Sequence, residues 1–235
     1  MEKLFFMCTH PNQGTGYARS ANKITNHLCT KYDVTYYAFQ NYKEQAITDR
    51  FIDPRIKFID AVELDPESPK GFGDKGIIPS FDKVQPDVLF LYNDLPVAVS
   101  ILKILEQAKH KKFKIICYLD LVYKWEDVTR LEELKKRVDV CFVFLNCWVD
   151  HLVNDLGWPS EKVKVLPLGV DADRFTVVDP QRAKEYLKFN KDDFIVLNMN
   201  RNSYRKQWFL TIQAFIQFLV MTDIDKKVKL FFTNN

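Results

Sequence analysis

Residues 163–175 read VKVLPLGVDADRF and residues 193–215 read DFIVLNMNRNSYRKQWFLTIQAF; the fold turns on how these two segments are understood. The first is a β-branched run that ends in Pro167, Gly169 and an acidic turn at Asp171 and Asp173. The second opens as an apolar strand, Phe194 to Met199, and breaks into a polar loop holding Arg201, Arg205 and Lys206. It continues as an amphipathic helix with Trp208, Ile212, Phe215 and Leu219 on one side. Strand, cationic loop and helix start together describe a place to hold a phosphate. Free N–H groups at the helix start and the positive end of its dipole both favour an anion, and Arg and Lys add directed, charged donors. A surface loop with solvated charges is the competing reading.

Upstream, strands alternate with helices. Lys3–Cys8 is an apolar first strand, followed by the loop Thr9 to Tyr17 with Gly14, Thr15 and Gly16, and by a helix over Ala18–Thr30 with Ala21, Ile24 and Leu28 on its buried side. The loop is no dinucleotide fingerprint, because a third glycine is missing and the spacing differs. It is no Walker loop either, because no Gly-Lys-Ser/Thr follows. Two glycines let the backbone approach a ligand closely; a tight turn without a ligand is the alternative. Val34–Phe39 and Arg55–Ile59 read as the next strands. Residues 60–83, with Pro66, Pro69, Gly71, Gly73 and Gly76, read as a loop region.

Asp87–Tyr92 and Lys114–Leu119 are near-continuous apolar runs, the pattern of parallel strands covered on both faces. Asn93, Asp94 and Pro96 open a helix that runs through Leu105. Asp120 and Tyr123 follow the carboxyl end of the later strand, where ligands of open α/β sheets gather; Asp120 either holds a ligand hydroxyl or caps the next turn. Asp127–Arg137 reads as a solvated, charged helix, Val138–Leu145 as a strand, and Cys147–Leu156 as a helix ended by Gly157. Lys162–Leu166 is the last strand before Gly169-Val170-Asp171. The alternation predicts an α/β fold with a mainly parallel sheet and helices on both faces. Past Asp171, a helix over Gln181–Phe189, the strand Phe194–Met199, a helix over Lys206–Met221 and a strand over Lys227–Thr233 open a second unit.

Bulk properties narrow the class. The chain has 235 residues, which suits one large or two small domains, and its formal net charge of +3 makes no case for nucleic acid. Cys8, Cys29, Cys117, Cys141 and Cys147 are odd in number and lack metal-type spacing. They read as reduced thiols of a cytoplasmic protein. The four histidines show no metal spacing, and no Ser or Cys has an evident paired base, so neither a zinc site nor a nucleophilic triad is expected. The lysines at 109–114 and 135–137 suit an anionic membrane surface or are simply solvated.

The turn Pro167-Leu168-Gly169-Val170-Asp171 with Phe175 after it, then a strand, Arg201 and a lysine five positions on at Lys206, resembles glycosyltransferase family 4 (group 1), whose fold is GT-B. The resemblance implies a Rossmann-like, acceptor-side domain over residues 1–170 and the first βαβ unit of a second Rossmann-like, nucleotide-sugar-binding domain over 171–235. It implies a chain truncated in that second domain, because the family's paired glutamates have no counterpart. It further implies a retaining transfer of sugar from a nucleoside diphosphate sugar to the hydroxyl of a glycan, lipid or protein acceptor. Arg201 and Lys206 would stabilise the leaving diphosphate, Gly14, Thr15 and Gly16 would form the loop near the donor phosphates, and Asp120 and Tyr123 would touch the acceptor. No metal or other cofactor is required. Four positions depart from the family pattern: Leu119 stands where it has a histidine, Asn146 where it often has a serine, and Asn200 and Gln207 replace flanking glycines. Two other functions fit less well. A non-catalytic acceptor-binding or interaction module would keep the first domain and lose turnover, and a nicotinamide oxidoreductase would need a different glycine spacing.

Overall fold

The computed structural model describes residues 1–46, 50–124, 127–173, 175–200, 202–222 and 227–233. The chain forms two compact units, Met1–Gly169 and Val170–Asn235.

In the first unit, seven strands form one sheet: β1 (Lys3–Thr9), β2 (Asp33–Phe39), β3 (Lys57–Asp60), β4 (Val88–Asn93), β5 (Lys114–Leu119), β6 (Val140–Val143) and β7 (Val163–Val165). Their order is β3-β2-β1-β4-β5-β6-β7, and every pairing is parallel. β1 runs in register with β2 from Lys3↔Asp33 to Thr9↔Phe39 and with β4 from Leu4↔Val88 to Met7↔Leu91. Leu4 to Thr9 are all buried, as continuous apolar runs covered on both faces must be. The alternation of side chains splits them between two cores. Phe5, Met7, Tyr37, Leu89, Leu91, Cys117 and Leu119 share one with α3 (Asp74–Val84), α4 (Leu95–Leu105) and α5 (Val128–Arg137). Leu4, Phe6, Tyr36, Phe90, Tyr92 and Tyr118 share the other with α1 (Gly16–Leu28). That second face is aromatic: Phe6 packs edge-on against Tyr36 at 4.9 Å, and Tyr92 stacks on Tyr118 at 4.6 Å.

The elements differ from the sequence reading where tertiary contacts override local signals. Residues 60–83 are not a loop: α2 (Ala61–Leu64) and α3 lie there. Asp60 caps α2 by accepting from the N–H groups of Val62 and Glu63. Gly73 starts α3 in the left-handed region at φ 64°, and Pro79 is tolerated in the second turn. α1 begins at Gly16 because Thr15 caps it, accepting from the Ala18 N–H at 3.1 Å. Its buried stripe holds Ala18, Ala21, Asn22 and Thr25, leaving Ile24 and Leu28 only partly buried. Thr25 is tolerated there because its hydroxyl bonds to the Ala21 carbonyl at 2.8 Å. β6 is shorter than Val138–Leu145 because Val138 caps α5 and Leu145 caps α6 (Asn146–Asp150). The helical turn continues as a π-turn over His151–Asp155, and Gly157 follows at φ 63°.

In the second unit, α7 (Pro180–Tyr186) precedes a parallel pair, β8 (Phe194–Met199) and β9 (Val228–Thr233), joined through α8 (Trp208–Thr222). α8 starts later than the sequence pattern suggests. Tyr204–Lys206 form a 3-10 turn and Gln207 adopts φ 50°, which breaks the run before Trp208. Among the described residues no helix is long and apolar enough to cross a membrane.

A Cβ added at Gly76 in α3 would fall 2.7 Å from the buried Tyr37 hydroxyl and 2.9 Å from Leu64. In an open helix Gly→Ala stabilises by about 1 kcal/mol. Here Gly76→Ala is expected to destabilise by about 1–3 kcal/mol through overpacking, read as a lower urea midpoint at unchanged m-value.

Candidate functional site

The chain leaves β1 to build β2 and β3 on one side, then returns to lay β4 on the other, so strand order reverses between β1 and β4. Loops diverge at that point on the carboxyl edge, where open α/β sheets bind ligands. The loop after β1 is held from within. The His10 N–H donates to the Phe39 carbonyl at 2.8 Å, and its Nδ1 accepts from the Asn12 N–H at 3.2 Å. Burial pushes the His10 imidazole below its ordinary pKa, which keeps the ring neutral and suits it to accept that bond. Gln13 is buried and donates through Nε2 to the Tyr42 carbonyl at 3.1 Å. The Arg50 guanidinium donates from one nitrogen to the carbonyls of both Pro11 and, at 2.7 Å, Gln13. These bonds turn the loop's carbonyls inward.

The three predicted loop residues, Gly14, Thr15 and Gly16, lie at the amino end of α1, with Gly14 and Gly16 exposed. Among the described residues the positive-φ glycines are Gly71, Gly73 and Gly157. Neither Gly14 nor Gly16 is therefore demanded by the turn. A Cβ at Gly16 would meet nothing within 4 Å. What glycine provides there is unobstructed backbone at a helix start.

Tyr17, in the first turn of α1, reaches across to the ends of β4 and β5. Its hydroxyl donates to Asp94 Oδ1 and lies 3.1 Å from Asp120 Oδ2. Burial, then the two carboxylates, push the Tyr17 pKa far up, so the phenol stays protonated and remains a donor. Its ring packs on Tyr92 at 4.9 Å. Asp120 thus joins a polar group at the switch-point edge, while Tyr123, 48% exposed in the following loop, does not join it. Leu119 is fully buried in the core beside α4, which accounts for an apolar residue there. Arg50 and the Tyr17–Asp94 pair escaped the sequence reading. Asp94 carried a signal, Asp-Leu-Pro at a helix start, but a cap explains that signal equally well.

In the second unit, the loop from β8 to α8 is braced by its own side chains. Asn200 Nδ2 donates to Asn198 Oδ1 at 2.7 Å, and Asn198 Nδ2 donates to Thr211 Oγ1 at 3.0 Å. Trp208 Nε1 donates to the Asn200 carbonyl at 3.2 Å, and its ring lies 4.5 Å from Phe232. Asn200 therefore has a bracing role where a glycine could have none. Lys206 closes the 3-10 turn, its N–H bonded to the Ser203 carbonyl at 2.9 Å, so it sits just before α8 and not at its first residue. Arg205 is exposed. Arg201 lies outside the described residues. Among the described residues no three His, Cys, Asp or Glu side chains gather as a metal ion would require.

The sequence matches no protein-family model and no curated protein. Solved structures do match in fold. HepE of Anabaena in complex with UDP is similar over 98% of this chain and 69% of its own, at 12% identity and a TM-score of 0.62. A glycosyltransferase from Rickettsia africae is similar over 100% and 69%, at 14% identity and a TM-score of 0.62. UDP-N-acetylglucosamine 2-epimerase from Rickettsia bellii is similar over 98% and 69%, at 12% identity and a TM-score of 0.56. At these identities the likeness is one of fold, and the fold is GT-B, with Rossmann-like α/β units.

Arg50→Ala removes a charged donor from two loop carbonyls. Stability is expected to fall by about 1.5–3 kcal/mol, and amide exchange over Gly14–Tyr17 is expected to accelerate more than over β4. Equal acceleration in both would mean that Arg50 does not hold the loop.

Proposed function

We propose that the chain is a retaining glycosyltransferase of the family 4 type, acting on a nucleoside diphosphate sugar and an acceptor hydroxyl. One observation supports it above the others: the fold likeness runs through both units to HepE, which has been solved with UDP, with UDP and glucose, and with UDP-glucose. The motif pair around Gly169 and Lys206 favours the same reading. In this reading residues 171–235 contribute to donor binding and residues 1–170 carry the acceptor side. The free cysteines, four of them buried, suit a reducing cytoplasm.

The chemistry follows from charge. As the sugar–phosphate bond breaks, negative charge builds on the diphosphate oxygens. Cations aimed at those oxygens lower the barrier, because they bind the transition state more strongly than the ground state. Arg201 and Lys206 take that role. Arg201 supplies a planar fork of donors, and Lys206 a compact charge with no acid paired to it among the described residues. A departing phosphate oxygen accepts the acceptor's proton, so no separate protein base is needed.

A second reading, a UDP-N-acetylhexosamine 2-epimerase, is favoured by the fold likeness to the Rickettsia bellii enzyme. Calorimetry with UDP- and GDP-sugars tests the binding common to both. Arg201→Ala and Lys206→Ala are each expected to weaken donor binding by at least about tenfold, the scale of one charged hydrogen bond. NMR of the products separates the readings: a new glycosidic linkage supports transfer, and an epimerised UDP-sugar supports the alternative. Binding of a nicotinamide dinucleotide in place of any nucleotide sugar would contradict both.

A further inference from the structure

Asp94 stands at the N-cap of α4, where a carboxylate ordinarily accepts N–H groups of the helix's first turn. It does not do so: its side chain makes no cap bond. One of the usual donors is missing because Pro96 lies within that turn. Its own N–H is instead satisfied by Asn93 Oδ1 at 2.9 Å, and its Oδ1 is taken up by the Tyr17 hydroxyl. The carboxylate thus forgoes a local stabilisation and is held at the carboxyl edge by the Tyr17 hydroxyl. It is exposed, and a carboxylate accepts through two oxygens, so Oδ2 remains to receive a hydroxyl. The Tyr17 ring beside it is fixed against Tyr92, which gives the position an aromatic wall.

We infer that Asp94 contacts the acceptor as a carboxylate receiving a sugar hydroxyl, and that Tyr17 is its positioning residue. The inference rests on the nucleotide-sugar reading and names its acceptor class: a sugar that offers a hydroxyl to a carboxylate oxygen. Tyr17 carries one phenolic proton and commits it to Asp94, which fixes the carboxylate's rotation. The hydroxyl of the acceptor then meets a preset oxygen. Tyr17→Phe keeps the ring on Tyr92 and deletes that restraint together with the hydroxyl's contact to Asp120 Oδ2.

The test uses the full chain saturated with UDP and D-glucose as the probe, read by saturation-transfer NMR. The wild type is expected to give a saturable glucose signal. Asp94→Asn is expected to lose it, and Tyr17→Phe to weaken it about tenfold. Thermal unfolding of Tyr17→Phe is measured alongside: a merely structural hydroxyl would lower the melting temperature and leave the glucose affinity alone. An unchanged signal in Asp94→Asn, no signal in the wild type, or an unchanged affinity in Tyr17→Phe would each overturn the inference. Calorimetry with UDP-glucose on the same samples tests the donor reading separately. A chain that binds the donor but not glucose loses this inference and keeps that reading.

Discussion

β1 is hydrogen-bonded on both edges and buried on both faces, and the first unit is built outward from that constraint. A strand with no route to water must have every backbone group paired. β2 and β4 supply the pairs, both in parallel, and parallel neighbours can be joined only by crossovers. The crossovers become helices on the two faces, and every strand then ends at the same edge. The divergence of loops between β1 and β4 follows from strand order alone, so the polar groups there, Tyr17, Asp94 and Asp120, meet as a result of topology.

The long apolar strands were legible in the sequence because burial on both faces leaves an unbroken hydrophobic run. Lys114–Leu119 has the same ends in the structure as in the sequence reading; so does Phe194–Met199, although its residues are exposed or half-buried. The stretch after β3 was not legible. Gly73 and Gly76 look like chain breakers, but one opens a helix in a left-handed conformation and the other makes room for Tyr37. Glycine used for close packing and glycine used for a turn look alike in one sequence. Arg50 was invisible for a different reason: its partners lie 37 and 39 residues away, and no local pattern announces such a bond. Asp94 looked like a cap, but its side chain makes no cap bond and is taken up by the Tyr17 hydroxyl, 77 residues away in sequence.

The second unit poses its own physical question. α8 contains no charged residue, and none of its side chains is fully buried. Trp208, Thr211, Phe215 and Leu219 are half-buried on one side, while Phe209, Ile216, Val220 and Met221 are exposed. A helix apolar around most of its circumference belongs in an interior. Exposed apolar area of this kind marks a surface that meets another surface. The loop before the helix is nonetheless ordered by polar bonds of its own, from Asn198 and Asn200 to Thr211 and Trp208. Asn198, Asn200, Thr211 and Trp208 thus tie the end of β8 to the first turns of α8.

Protein fold and proposed chemistry meet in one claim, that the turn between β8 and α8 grips a diphosphate. Hydrogen–deuterium exchange of residues 198–209 with and without saturating UDP-glucose tests it most directly. The account predicts slower exchange there on adding the nucleotide sugar, with Lys206→Ala abolishing the effect. Unchanged exchange across that segment, while calorimetry shows the ligand bound, would contradict it.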